Sequence, residues 1–259
     1  MTVTPLAQHR VEKPWGRHRL WPAFADPAPD GDPVGEIWFD EPGDPPLLVK
    51  YLFTSERLSV QVHPDDAAAQ AAGHPRGKAE CWLILDAAPE STIALGPKAP
   101  TDRATLDAAA RDGSIVDLLD WRPVAAGDFL YSPPGTIHAI GAGITLIEVQ
   151  QNVDLTYRLF DYGRPRELHL EAGLAVSMMT PYAEPARHFA SGELLRTAHF
   201  TVSGLTAGEH RLGAGLLIPF EGSGTLDGAE IAAGSCWRVT DDAALTLAPG
   251  GRALFAALP

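Results

Sequence analysis

Short apolar runs separated by Gly, Pro and Asp set the texture of the chain. Residues Leu47–Phe53 (LLVKYLF), Leu58–His63 (LSVQVH) and Glu80–Leu85 (ECWLIL) read as β-strands, and Asp128–Ser132 and Ile144–Gln151 continue the series. Between His63 and Lys78 the pattern changes. Pro64 and two aspartates suit a helix start, the alanines its body and Gly73 its end. Apolar positions at three and four spacing predict helix over Arg103–Leu119, broken into two pieces at Gly113, and a further helix over Leu168–Met179. The first 46 residues are rich in Pro, Asp and Gly, and Pro22–Pro33 reads as an irregular loop. After Pro181 and Pro185 come shorter β-type runs at Phe200–Leu205, Ala214–Pro219, Cys236–Thr240, Ala244–Leu247 and Ala253–Leu258. This tail reads as a small sheet or half-barrel. The pattern therefore predicts two β modules, residues 1–185 with helical insertions and a smaller one at 186–259.

Composition supports a mainly β protein. The 25 Gly and 23 Pro make up about 19% of 259 residues, against roughly 12% in ordinary chains. With 33 acidic and 20 basic residues the net charge is −13, a surface that repels phosphate backbones and anionic membranes. Nucleic acid and membrane are therefore not expected partners. A small phosphorylated substrate fits only if a few Lys or Arg gather in one pocket. Two cysteines, Cys81 and Cys236, are too few for a disulfide framework. The start of the chain shows no apolar leader, and no apolar stretch approaches the ~20 residues of a membrane span. A cytoplasmic enzyme is the expectation.

Side chains on a strand alternate faces, so Gln61 and His63 point one way and Val62 the other. Lys78, Glu80 and Trp82 also share a face, which leaves Cys81 as a core residue. A lone strand histidine is usually just hydrogen-bonded. A third stretch changes that weighting. Gly127 to His138 fits G-x5-P-x-G-x2-H, in which Pro133 and Gly135 make a tight turn that delivers His138 to a strand. This stretch resembles the second motif of the cupin superfamily, small jelly-roll β-barrels that bind a divalent metal inside. The asparagine that often closes the motif is missing. The first cupin motif is altered: Gln61 stands for its first His, and Glu80 follows His63 by 17 residues.

Those departures lead to one branch. The strings LSVQVHPDD, GKAECW, PPGTIHAIG and EVQQNVDLTYRLFDYGR, with KPWGRHRLW and GEIWF before them, resemble type I mannose-6-phosphate isomerases, especially the short bacterial form. The likeness runs from about residue 13 to 178. It implies a cupin barrel followed by a shrunken second cupin, and a zinc ion held by Gln61, His63, Glu80 and His138. Two imidazoles and a carboxylate suit zinc, though iron or manganese also takes such a mixed set. The resemblance also places Lys78 and Arg158 in the cleft, with Glu148, Asp154 and, more weakly, Glu36. Aldose–ketose isomerisation of a small sugar phosphate would then need Arg158 for charge stabilisation. Lys78 would shuttle protons if burial and the metal lower its pKa, and Glu148 or Asp154 would serve as carbon base, with a His or Lys having equal claim from the sequence. For the phosphate, Lys50, Arg57, Arg164 and Arg166 are candidates, with Arg164 and Arg166 preferred. Two other readings compete: a cupin dioxygenase, against which the amide of Gln61 argues, and a non-catalytic sugar-binding or regulatory cupin.

Overall fold

Residues 2–259 are described by the computed structural model, and its elements follow the alternation in the sequence. The chain opens with β1 (Val3–Pro5), β2 (Ala7–Arg17), β3 (Val34–Asp40), β4 (Leu47–Phe53), β5 (Val60–Val62) and α1 (Asp66–Ala71). Next come β6 (Glu80–Ala87), β7 (Thr92–Pro97), α2 (Arg103–Asp112), α3 (Ile115–Leu118), β8 (Leu119–Pro123) and β9 (Asp128–Ser132). The first module ends with β10 (His138–Ile140), β11 (Ile144–Gln151), β12 (Tyr157–Phe160) and α4 (Leu170–Val176). The tail holds β13 (Arg187–His188), β14 (Gly192–Arg196), β15 (Thr201–Leu212) and β16 (Gly215–Glu221). It closes with β17 (Ser223–Leu226), β18 (Ala229–Ala232), β19 (Trp237–Val239) and β20 (Ala243–Ala257).

The helices form where their caps say they should. Asp65 accepts the Ala68 N–H at 2.8 Å to start α1, and Asp102 accepts that of Thr105 at 2.8 Å to start α2. Gly113, at φ +88°, ends α2 in the left-handed region that an L side chain avoids.

Three sheets carry the architecture. A seven-stranded sheet runs β13-β9-β6-β11-β4-β3-β2 and a five-stranded sheet runs β12-β5-β10-β7-β8, both with antiparallel neighbours. Together they form the cupin jelly roll, and the central strands β4, β6 and β11 of the seven-stranded sheet are buried on both faces. In β4, Val49, Tyr51 and Phe53 enter one apolar core while Leu52 joins another, with Lys50 on the Leu52 side. The outer face of the five-stranded sheet packs Val60, Val62 and Ala139 against Leu106 of α2, Ile115 of α3 and Leu174 of α4.

The third sheet, β1-β19-β16-β20-β15-β14 with the β17–β18 hairpin, is the tail. One of its faces shares a core with the seven-stranded sheet, so Phe200, Ile218 and Leu254 meet Ile37, Val49 and Phe129. Two strands cross the expected division at residue 185: β1 pairs with β19 in the tail sheet, and β13 pairs with β9 in the first module. The runs expected separately at 244–247 and 253–258 form one strand, β20, whose register against β15 shifts between Thr206 and Gly208. The Pro- and Gly-rich start also holds two long-range strands, β2 and β3, that local composition concealed. Their stability comes from pairing with each other and with β4 rather than from propensity. Among the described residues no helix is long and apolar enough to cross a membrane.

Candidate active site

Strand register builds the site as two facing rows. On the seven-stranded sheet Trp38 pairs with Lys50, Lys50 with Glu148 and Glu148 with Trp82. On the five-stranded sheet Arg158 pairs with Gln61 and Gln61 with His138. The interior between the two sheets is thus polar at one end, while Trp15, Leu52, Ile84, Leu95 and Leu146 fill the other with apolar packing.

The turn before β10 places His138. Gly135, at φ +86°, donates its N–H to the His63 carbonyl at 2.8 Å, and a Cβ there would sit 3.0 Å from both Met178 Cγ and the Val176 carbonyl oxygen. The Pro-Gly turn therefore ties the two histidines' segments together directly.

His63, Glu80 and His138 are all buried and offer donor atoms within 4.8 Å of one another. Both histidines turn Nε2 toward Glu80 Oε1, at 3.4 Å for His63 and 3.1 Å for His138. Each anchors its other nitrogen on a backbone carbonyl. His63 Nδ1 lies 3.0 Å from the Leu155 oxygen, and His138 Nδ1 lies 2.9 Å from the Thr136 oxygen. A carbonyl can only accept, so Nδ1 carries the proton and Nε2 presents a lone pair inward. Neither Glu80 oxygen accepts a hydrogen bond of good geometry, although both are buried. Two imidazole lone pairs and a buried carboxylate on one point are what a divalent cation requires. Gln61 borders the same point, its amide nitrogen 3.2 Å from His138 Nε2 and its oxygen accepting from Ser59 Oγ at 3.1 Å. Turning the amide over presents its oxygen as a fourth donor.

Charge in the cluster is strongly coupled. Burial, and then the Lys78 ammonium, push His63 down to about 3, so its imidazole is neutral at neutral pH. Burial disfavours the Glu80 carboxylate, but Lys78 and the two histidines outweigh it and hold Glu80 well below the usual range. Lys78 Nζ sits 2.9 Å from Glu80 Oε2 and 3.2 Å from His63 Nε2. Its pKa is raised, opposite to the expected lowering. Burial does pull it down, yet Glu80, Glu148 and Glu36 together pull harder.

A cavity of about 210 Å³ opens beside the cluster. Gln61, Lys78, Glu148, Asp154, Arg158 and Arg166 all line it, as do Glu36 and Lys50. Glu148 is fixed by Trp82 Nε1, which donates to Oε2 at 2.9 Å, and by Lys50 Nζ at 3.5 Å from Oε1. Asp154 is exposed at the cavity mouth and makes no hydrogen bond or ion pair among the described residues. Arg158 donates from Nη1 to the Glu167 carbonyl at 2.9 Å, while its Nε is buried without a partner. Burial lowers its pKa below the ordinary arginine value. Asp161 grips Arg166 through two bonds of 2.6 and 2.7 Å. Arg164 lies outside the cavity, paired with Glu56 at 2.7 Å and Asp161 at 3.1 Å. Arg57 stacks on Trp121, 4.7 Å from the ring centre, also away from the cavity.

Four wall residues escaped sequence reading. Trp38 lines the cavity and carries Lys50 over its ring at 4.4 Å. Lys13 approaches Glu36 at 3.9 Å from β2, and Ser59 and Thr156 add hydroxyls. The available signal was a lone lysine inside LLVKYLF: a charge in an apolar strand needs a polar pocket on one side. Cys81 lies in the apolar core on the opposite face from Glu80, as the alternation requires.

No protein-family profile matches the chain. The mannose-6-phosphate isomerase ManA of Bacillus subtilis is 39% identical over 171 residues, which covers 61% of this chain and 54% of the relative. The mannose-6-phosphate isomerase of Streptococcus mutans is 43% identical over 137 residues, covering 51% and 43%. The chain thus spans about half the length of the curated relatives it matches. The crystal structure of the Bacillus subtilis mannose 6-phosphate isomerase superposes over 100% of both chains with a TM-score of 0.83 at 25% identity. The chain resembles mannose-6-phosphate isomerases in sequence and in fold. That resemblance agrees with the jelly roll and with the position of the cluster inside it.

Proposed function

We propose that this chain is a metal-dependent aldose–ketose isomerase that interconverts mannose 6-phosphate and fructose 6-phosphate through an enediol. The observation that carries the reading is the convergence of His63 Nε2, His138 Nε2 and Glu80 beside a cavity lined by Lys78, Glu148, Asp154 and Arg158. Zinc is the proposed ion, held by those three residues and the Gln61 amide. When bound it supplies Lewis-acid polarisation of the sugar's C1 and C2 oxygens.

The protein's own groups then divide the work. Arg158, one strand from Gln61, holds negative charge as it grows on the sugar oxygens. Lys78, buried and charged at neutral pH because its pKa is raised, gives a proton to the C1 carbonyl oxygen and, once neutral, takes the C2 hydroxyl proton as the new carbonyl forms. The carbon proton needs a carboxylate free to approach it. Trp82 and Lys50 tether both Glu148 oxygens, whereas Asp154 is uncommitted, so Asp154 takes the proton from C2 and returns it to C1. Arg166, turned into the cavity and held by Asp161, seats the phosphate beside Arg158. The cytoplasm is the proposed setting, where sugar phosphates are retained.

One observation favours a second reading. Two histidines and one carboxylate are also the pattern of non-haem iron oxygenases. Against it stand the fourth donor Gln61 and a wall with five cationic side chains, Lys13, Lys50, Lys78, Arg158 and Arg166, suited to an anionic substrate. A coupled assay with mannose 6-phosphate, before and after chelation and with zinc restored, tests the proposal. Chelator-sensitive isomerisation regained with zinc is expected. Absence of turnover, or oxygen uptake with ferrous iron instead, contradicts it.

A further inference from the structure

The segment that delivers Lys78 and Glu80 is not held by a helix or a sheet until β6 begins at Glu80. What holds it is a set of polar contacts centred on Asp66. Asp66 Oδ1 accepts the Gly77 N–H at 2.8 Å and the Gln151 amide at 3.0 Å. Gln151 is buried, and its own oxygen accepts the Ala79 N–H at 2.9 Å. The Lys78 N–H donates to the Pro64 carbonyl at 3.0 Å. Gly77 is pressed so close that a Cβ would stand 2.5 Å from the Asp65 carbonyl carbon. Helix capping does not account for Asp66, because Asp65 already caps α1. The other Asp66 oxygen, Oδ2, lies 3.5 Å from Nδ1 of His199, a residue of the tail module.

We propose that Asp66 is a positioning residue for the metal and proton-transfer groups, bracing residues 77–80 so that Lys78 and Glu80 meet His63, with His199 of the tail module as its outer contact. The brace joins three stretches distant in sequence, the α1 start, the 76–80 segment and the end of β11, at the back of the cavity wall. Loss of the carboxylate leaves the Gly77 N–H and the Gln151 amide without their acceptor. The ligand carboxylate, two peptide units further on from Lys78, then loses its fixed aim. This inference rests on the proposed metal site, yet its test separates the two.

Zinc affinity is measured by competition with a chromophoric chelator in wild type, Asp66→Ala, Asp66→Ser and Asp66→Asn, alongside kcat and KM for mannose 6-phosphate. Asp66→Ala and Asp66→Ser should each bind zinc about 10-fold or more weakly, the usual loss when an orienting partner is removed. Their kcat should fall about 10-fold with KM within about twofold, since orientation rather than substrate contact is lost. Asp66→Asn keeps an oxygen that can accept from both Gly77 and Gln151, and should stay within about threefold of wild type. Asp66→Ser covers the case in which Asp66→Ala does not fold. Zinc affinity and kcat equal to wild type, with only the Tm lowered, overturns the proposal. If wild type itself fails to isomerise mannose 6-phosphate, the assigned activity falls while the zinc titration still decides the role of Asp66.

Discussion

Two β modules in this chain curl sheets around an interior and fill that interior differently. Between the sheets of the first module lie Lys50, His63, Lys78, Glu80, His138 and Glu148, all buried and all with ionisable side chains. Inside the tail sheet the corresponding positions are Leu212, Leu217, Leu226, Ile231, Val239, Leu245 and Leu247, without a charged side chain among them. Both interiors are lined by every second residue of their strands, so backbone geometry does not separate them. The choice of side chain does. A strand such as β16 sends Leu217 into the tail interior and Leu216, Ile218 and Phe220 toward the first module. In β4 the alternate face carries Lys50 instead. The lesson is that the fold supplies an interior and the chemistry depends on who is placed there. The tail, filled with hydrocarbon, acts by covering the seven-stranded sheet.

The comparison breaks most sharply at Arg158. Replacing Arg158 with Ala should lower kcat by about 10²–10³-fold, the scale of losing one preorganised charge-stabilising donor, while leaving bound metal unchanged. An unaltered kcat in a steady-state assay would remove Arg158 from the reaction. In the tail, Leu217→Ala should cost about 2–5 kcal/mol of stability through lost packing and a cavity. Its kcat should match wild type in the folded fraction, because Leu217 packs in the apolar core of the tail and does not line the cavity. Denaturant unfolding alongside the activity assay checks both halves, and a stable but inactive variant would erase the distinction between the modules.

A smaller effect follows from the buried charges. The unfolded chain protonates His63 near its ordinary value of 6.5, but the folded protein resists until about 3. The unfolded state therefore binds more protons across that window, and stability falls as pH drops from 6.5 toward 3. Glu80 acts in the same direction. Its folded pKa lies well below 4.5, so the stability it contributes is present above 4.5 and lost as pH falls through that lowered value. Thermal unfolding of chelator-treated protein should show Tm decreasing steadily below pH 6.5. A flat profile would mean that the histidine is not held neutral.

Much of the site was legible because it rests on local rules. Period-two alternation put Gln61 with His63 and Glu80 with Trp82, and the Pro-Gly turn brought His138 to the start of β10. The Gly113 break and the LLVKYLF strand also follow from local chemistry. The wall opposite the ligands did not, because the row Trp38, Lys50, Glu148, Trp82 exists only through the register of four strands from distant parts of the chain. Lys78 shows a second limit. Burial of a lysine argues for a lowered pKa, and only the positions of three carboxylates reverse the sign. Arg164 and Arg166 show a third: two residues apart, they are separated by how Asp161 grips them, with one turned to the cavity and the other to Glu56.

The central claim is that side chains from β5, β6 and β10 hold one cation inside the first module. Metal content per chain, measured on purified wild type and on His138→Ala after equal exposure to zinc and removal of loose ions, tests it most directly. The account predicts one tightly held equivalent in wild type and essentially none in His138→Ala, with the variant still folded. Equal zinc in both proteins would contradict it.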